Sequence, residues 1–588
     1  MAKLHLLVQL TPGTRLKWHV CEDPRWFAPD LSNRSCIYLL TPPTPIDEAY
    51  QLHRMVQRLD PILNRIWARL PWPSLIMYIV RHCCKLKYPG YPRRLPASVH
   101  EQWHLEQSEQ VQLLRDLTEL IQGRLLPDTV LEQALRTKGW WPADIRRALD
   151  WGLNIGQFEC FPGVQKSAWG ESICTRCGTH AAETRPCPFC SRSDCPVCTA
   201  CEAIGVVRGC TRLWVVAVDR GTLELTEQAK PEVRHQALPR LYLEYDLTPA
   251  QELASQRLVE FIHSRQQKIL VWAACGAGKT EVTFAAIQTA LGRGWKVLFA
   301  IPRRDVVREL ADRIQAAFPD TEIAVHYGGQ PWQQDGQLVI ATTHQALRFY
   351  RCFNLVILDE IDAFPYHGSE MLRFAIKRSL TPEGKMIEMT ATPRKIGPGE
   401  VVTIPARHHG WPLPQPQFLK LKLPELSQLA DKGLPEEVVA IIKNNPAPWL
   451  IFAPTIPLVK QITKHLTEVL GRSVCGSWAA DPERDQKKEG FASGRYQVMV
   501  ATSIMERGIT IANVQVMVLY CDHVLFDANS LIQMAGRVGR KAEHPVGEVW
   551  FIGARLTDAL KTAQKRIRYL NQQAAALGLL KESGIDGR

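Results

Sequence analysis

The sequence predicts an α/β protein whose larger half is two consecutive lobes of parallel sheet, and three observations predict it. Near-continuous apolar runs (Lys268-Ile-Leu-Val-Trp-Ala, Lys296-Val-Leu-Phe-Ala-Ile, Gln337-Leu-Val-Ile-Ala-Thr, Leu355-Val-Ile-Leu-Asp and Met386-Ile-Glu-Met-Thr) alternate with helix-like stretches. Buried parallel strands read this way because helices cover both of their faces. After a Pro-rich stretch from Pro405 to Pro424, a second set follows: Trp449-Leu-Ile-Phe-Ala-Pro, Gln497-Val-Met-Val-Ala-Thr, Val514-Gln-Val-Met-Val-Leu and Gly547-Glu-Val-Trp-Phe-Ile. The third observation is a glycine-rich turn between strand and helix in the first set, with no equivalent in the second.

The 588 residues, 46% of them hydrophobic, suffice for several domains with their own cores. The net charge of +12 suits a polyanionic partner but equally an ordinary basic enzyme. No apolar run reaches the ~18 residues of a membrane span, so none is expected. The N-terminus, MAKLHLLVQLTPGTRLKWHV, lacks a long apolar core and a small-residue cleavage site, so no secretory leader is expected.

Residues 1–109 form an N-terminal extension rich in Pro and Trp, without a catalytic pattern; Asp47 to Leu70 carries apolar residues at helical spacing. Residues 110–168 read as helix, turn, helix and hairpin. Thr129 to Arg136 is one helix, Pro142 to Gly152 the next, and Gly156 to Gly163 a small wing. This is either a winged-helix-like module or ordinary helical packing, so the N-terminal region is expected to be mainly helical. Residues 169–243 are a Cys-rich module ending in a hairpin, from Leu213 through Asp219-Arg-Gly to Thr222. The first lobe spans 244–412 and the second 413–588.

The glycine-rich turn is Ala273-Ala-Cys-Gly-Ala-Gly278-Lys279-Thr280. Backbone N–H groups of such a loop, Gly276 and Gly278 included, together with the positive end of the next helix, cradle phosphates. Lys279 supplies a point charge at the β and γ phosphates of ATP, and Thr280 a hydroxyl ligand for Mg²⁺. Asp359, closing an apolar strand, is expected to hold Mg²⁺ through its hydration shell, and Glu360 to orient and deprotonate the attacking water. Thr390-Ala391-Thr392 follows, and then Gln533-Met-Ala-Gly-Arg537-Val-Gly-Arg540. Arg537 and Arg540 are one helical turn apart and are expected to reach the cleft from the second lobe. Gln251, in Leu247-Thr-Pro-Ala-Gln251, stands where an adenine reader belongs; upstream of it Arg234 and His235 take the place of a clamping aromatic. Gly508 completes the nucleotide contacts. In this order the motifs describe two RecA-like lobes that use ATP to move along nucleic acid.

Strand C-terminal ends in such sheets point into the functional crevice. Arg303 and Arg304 follow one first-lobe strand and Thr342 and Thr343 another; Thr502 and Arg507 are their second-lobe counterparts. Hydroxyls and guanidinium groups there suit phosphate contacts that fix position without reading bases. For Thr342 and Thr343 the alternative is a helix cap. Thr390 and Thr392 are expected to link the ATP cleft to this track.

Of the seventeen cysteines, eight crowd between Cys174 and Cys210. Cys174-Thr-Arg-Cys177, Cys187-Pro-Phe-Cys190, Cys195-Pro-Val-Cys198-Thr-Ala-Cys201 and Cys210 offer ligands for one or two Zn²⁺ ions, since tetrahedral zinc takes four thiolates. An iron–sulfur cluster is the alternative, and His180 is a further candidate ligand. Spacing does not decide the pairing.

The order of Cys-rich module, Leu-Thr-Pro-Ala-Gln, phosphate loop, Asp359-Glu360-Ile361-Asp362-Ala363-Phe364 and Gln533-to-Arg540 segment resembles the late-competence ATPase ComFA family, superfamily 2 helicase-like proteins with a four-cysteine zinc finger in front. The resemblance covers roughly residues 170 to 575. It implies a DNA-stimulated ATPase that binds single-stranded DNA and helps draw it through a membrane channel during natural transformation. The partners so implied are that channel and other competence proteins, and the place the inner face of the cell membrane on its cytoplasmic side; a homo-oligomer is compatible with this. The chain also resembles the primosomal replication-restart helicase, where eight zinc-binding cysteines are inserted in the second lobe; here they precede the phosphate loop. An alternative of another class is a zinc-dependent DNA-binding module with weak ATPase.

Overall fold

The computed structural model describes residues 3–10, 17–21, 36–39, 44–45, 52, 93–94, 106–167, 170–217, 238–329, 336–393, 400–503 and 511–581. Apart from Leu52, the expected helix over 47–70 lies outside these residues, as do the hairpin strand at Thr222, Arg234, His235, Arg507 and Gly508. The described residues fall into two compact units, one within Met1–Glu232, Thr343–Phe353 and Gly368–Pro382, the other within Val233–Thr342, Asn354–His367 and Glu383–Arg588.

In the first unit, Lys3–Leu10 pairs antiparallel with Lys17–Cys21, Cys36–Leu39 and Thr44–Pro45. Three amphipathic helices follow: Gln107–Ile121, Asp128–Arg136 and Pro142–Asn154. Pro142 stands at the start of its helix, where its missing N–H costs nothing. The helices bury Leu113, Leu117, Leu131, Leu135, Ile145 and Leu149 against Phe158 and Trp214.

The local hairpin expected over 156–163 does not form. Strand Phe158–Pro162 pairs antiparallel with Arg212–Val216, which also pairs with Leu126–Pro127. The whole cysteine module therefore lies between two paired strands of this sheet. Arg212, 2% exposed, fastens the returning strand. Its Nε donates to Asp128 Oδ2 (2.7 Å), its Nη1 to Asp150 Oδ1 (3.3 Å), and Trp214 Nε1 donates to Asp128 Oδ1 (3.2 Å). Removing one partner of such a buried set typically costs about 3–5 kcal/mol.

The second unit holds two sheets. The first runs in the order Ile323–His326, Leu338–Thr342, Val297–Ile301, Phe353–Leu358, Leu380–Thr390, Lys268–Ala273, Glu400–Ile404. The second runs Gln417–Lys420, Val549–Gly553, Gln515–Leu519, Trp449–Phe452, Val498–Ala501, Val474–Ser477, with every pair parallel. Central strands such as Val297–Ile301, Leu338–Thr342 and Gln515–Leu519 are buried along their whole length, which is why they read as unbroken apolar runs. Among the described residues no helix is long and apolar enough to cross a membrane.

Candidate nucleotide site and cysteine clusters

The phosphate loop leaves strand Lys268–Ala273 at its C-terminal end. Gly276 and Gly278 have φ of +83° and +70°, a region that L-residues with a side chain enter at a cost. A Cβ on Gly278 would collide with Gln251 Nε2. Glu281–Thr283 is a 3₁₀ turn, and the α-helix begins only at Phe284.

Lys279 Nζ donates to Asp359 Oδ1 (3.0 Å), and the Glu360 N–H donates to the same oxygen (2.7 Å). Burial works against the Lys279 ammonium, but Asp359, Glu360 and Asp362 outweigh it, and its pKa lies above the ordinary lysine value. Burial is also the main influence on Asp359 and pushes its pKa up, although Lys279 opposes this. Glu360 has φ +55°, a left-handed conformation costing a non-glycine residue about 1–3 kcal/mol and frequent at functional sites. Thr280 and Asp359 are both buried. The Thr280 hydroxyl and the Asp359 carboxylate, beyond the C-terminal ends of two strands of one sheet, fit Mg²⁺, and the Lys279 ammonium fits a triphosphate.

Asp362 accepts from Thr390 Oγ1 (2.6 Å) and Thr392 Oγ1 (2.5 Å), so these threonines anchor the acidic loop. Gln251 is buried; its Nε2 donates to Ala277 O (2.9 Å) and its Oε1 accepts from the Thr248 N–H (2.8 Å). Its amide therefore fixes the phosphate loop to the helix beginning at Pro249. Tyr245, exposed, donates to Glu281 Oε1 (3.1 Å); sequence reasoning passed over this aromatic beside the loop.

On the second lobe, helix Ala528–Ala535 ends before Arg537. Arg537 and Arg540 thus sit on the turn beyond it, not one helical turn apart on the helix: Gly536 caps the helix and Gly539 takes φ +68°. Arg540 Nε donates to Gly536 O (3.0 Å), and its Cγ lies 4.0 Å from where a Cβ on Gly276 would stand. Arg537 is 3% exposed. Lys279, Asp359, Gly276 and Arg540 are therefore brought to one place.

The nucleic-acid residues are less uniform. Arg303 pairs with Asp305 (3.5 Å), and the Arg304 guanidinium lies 5.0 Å from the Tyr327 ring centroid. Thr342 and Thr343 are buried, and Thr343 Oγ1 finds no hydrogen-bond partner among the described residues. Thr502 is half-buried, and its N–H donates to Ser477 O (3.3 Å).

The eight cysteines separate into two clusters, Cys174/Cys177/Cys198/Cys201 and Cys187/Cys190/Cys195/Cys210, with sulfurs within 4.8 Å of one another in each. Sulfur separations of 3.9 Å (Cys174–Cys201), 3.6 Å (Cys198–Cys201) and 3.5 Å (Cys187–Cys210) are far beyond a disulfide. They match the ~3.8 Å edge of a tetrahedron with metal–sulfur bonds of ~2.3 Å. His180 belongs to neither cluster; it is 64% exposed and faces Glu171 (3.9 Å).

The first cluster is docked on helix Glu370–Ser379. Arg378 Nη1 donates to the carbonyls of Thr175 (3.1 Å) and Arg176, and its Nη2 to Leu347 O (2.7 Å). The Phe374 ring lies within 2.6 Å of a Cβ position on Gly178.

Residues 244–395 match the family model for the type III restriction enzyme res subunit, and residues 433–542 that for the helicase conserved C-terminal domain. Competence protein ComFA of Bacillus subtilis is 35% identical over 344 residues, 56% of this chain and 73% of that protein. Its Streptococcus pneumoniae counterpart is 36% identical over 342 residues, 56% and 78% respectively. A solved structure of S. cerevisiae Dbp5 bound to RNA and ADP BeF3 matches at 17% identity and TM-score 0.39, over 57% of this chain and 98% of that one. The paired helicase models make this a superfamily 2 ATPase with ATP and Mg²⁺ as cofactors, and the chain belongs to the ComFA family of competence-related, helicase-like proteins.

Proposed function

We propose that this protein is a DNA-stimulated ATPase that pulls single-stranded DNA into the cytoplasm during natural transformation, working at the inner face of the membrane beside an uptake channel and other competence proteins. The observation that carries this reading is the meeting of Lys279, Asp359 and Gly276 from one sheet with Arg540 from the other, in a chain of the ComFA family. Hydrolysis that needs groups from both lobes is coupled to their relative motion, as a translocating motor requires. Magnesium, when bound by Thr280 and Asp359, would neutralise charge on the β and γ phosphates. Lys279 would hold the phosphates and Glu360 would take the proton of the attacking water. Arg303, Arg304 and Thr502, with Arg507, are assigned to backbone phosphate contacts.

The test is steady-state ATP hydrolysis without nucleic acid and with single-stranded DNA, duplex DNA, forked duplex or RNA. Single-stranded DNA is expected to raise kcat several-fold and duplex or RNA little. Stimulation mainly by forked duplex would overturn the uptake reading in favour of a replication-restart-type helicase.

Each cysteine cluster is assigned one Zn²⁺, a structural ion contributing about 10 kcal/mol or more to folding of its segment. Purified protein is expected to carry two zinc ions per chain, and Cys177→Ser or Cys190→Ser one. Iron with visible charge-transfer absorption, or unchanged zinc in either variant, would refute the assignment.

A further inference from the structure

Strand Glu400–Ile404 of the first-lobe sheet is followed by Ala406-Arg407-His408-His409, which none of the motifs above includes. Arg407 is 2% exposed, among the largest buried side chains of the described residues. Its Nε donates to Cys275 O (3.2 Å) in the phosphate loop. Its Nη1 donates to Gly539 O (2.6 Å), and its Nη2 lies 3.5 Å from Gly536 O, both on the turn that carries Arg537 and Arg540. The neighbours repeat the pattern. His408 Nδ1 lies 2.9 Å from Gly276 O, and His409 Nε2 lies 2.9 Å from Gly539 O. The Trp411 N–H donates to His409 Nδ1 (3.1 Å), so the His409 proton is on Nε2. Burial keeps this imidazole neutral, with a pKa lowered to about 4.

Three consecutive residues thus satisfy two carbonyls of the phosphate loop and two of the arginine-bearing turn. Among the described residues, Arg407 has no carboxylate as a hydrogen-bond partner. Burial lowers its pKa to about 10, so it is still a cation at neutral pH. Charge-assisted bonds to carbonyls offset its desolvation. One of them, Gly536 O, stands at the negative C-terminal end of helix Ala528–Ala535. A planar fork can serve acceptors on two sides; a single ammonium cannot. The spacing it sets is tight, for a Cβ on Gly536 would lie 2.5 Å from Cys275 Cβ.

We propose that Arg407 is a positioning residue for ATP hydrolysis, whose guanidinium sets the phosphate loop in register with the turn bearing Arg537 and Arg540. The proposal rests on the nucleotide-site assignment above. Misplacement by about 1 Å can cost 10²-fold in rate, so Arg407→Ala is expected to lower kcat about 10- to 100-fold. Affinity for a non-hydrolysable ATP analogue should stay within about threefold, and added guanidinium ion should restore part of the rate. Arg407→Lys, which keeps bulk and charge, is expected to lose at least about tenfold and covers the case in which the alanine variant does not fold. A kcat within twofold of wild type in folded Arg407→Lys or Arg407→Ala overturns the proposal, as does a parallel loss of affinity and rate without rescue. Lys279→Ala run alongside separates the two readings: if it hydrolyses ATP normally, the site assignment itself has failed.

Discussion

Glu360→Gln is expected to lower kcat for ATP hydrolysis by about 10²–10⁴-fold, the usual worth of a positioned general base, while ATP binding persists. The amide matches the carboxylate in size and cannot accept the proton. The backbone at Glu360 is fixed independently of its side chain, because the Glu360 N–H is bonded to Asp359 Oδ1 (2.7 Å) and Asp362, two residues on, is held by Thr390 and Thr392. The variant should therefore keep the loop and lose only the chemistry. Lys279→Ala should behave differently. It removes the ammonium that faces Asp359 (3.0 Å) and leaves a buried carboxylate without it, so binding and hydrolysis fall together. Isothermal titration with an ATP analogue, alongside turnover, distinguishes the two. Normal turnover in Glu360→Gln would remove Glu360 from the mechanism.

How much of this was legible follows the range of the interactions. The phosphate loop, Asp359-Glu360 and the Gln533–Arg540 segment are contiguous, and their chemistry demands fixed spacing, so a single pass along the chain finds them. The cysteine partition is not contiguous. Cys195 and Cys198 look like one chelating pair, yet both lie on strand Cys195–Cys198. Positions three apart on a strand face opposite sides, which sends Cys195 to one cluster and Cys198 to the other. That inference needs the strand to be known first. The wing of the helical module failed for a related reason: Phe158–Pro162 has its partner at Arg212–Val216, across the entire cysteine module, and local turn signals favour nearer pairings. Arg407 carried no signal at all. It is one basic residue in a Pro-rich connection, and only tertiary packing makes it a buried cation.

Docking of the first cysteine cluster was equally silent in the sequence. Its contact helix, Glu370–Ser379, lies between the acidic motif and Thr390. Arg378, half-buried and with a pKa lowered to about 10 by desolvation, donates to carbonyls of Thr175 and Arg176 in the cysteine segment and to Leu347 O. The cysteine segment is therefore packed against helix Glu370–Ser379 through Arg378 and Phe374.

Arg540→Ala is expected to cost about 10³–10⁵ in kcat, the range for an arginine that stabilises charge in phosphoryl transfer from across a cleft, with little change in affinity for ATP. The side chain is only partly buried, and its Nε donates to Gly536 O (3.0 Å) on the same turn, so truncation should not unfold the lobe. Arg537, by contrast, is buried at 3% exposure; Arg537→Ala is expected to lower the melting temperature as well as the rate. A double-mutant cycle then tests how the second lobe is used. If Arg407 works by placing Arg540, the Arg407→Ala/Arg540→Ala double variant should be no slower than Arg540→Ala alone. Additive losses would mean that the two arginines act on separate steps. A loss below about tenfold in Arg540→Ala would put the transition-state charge elsewhere, and lobe closure would no longer be required for hydrolysis.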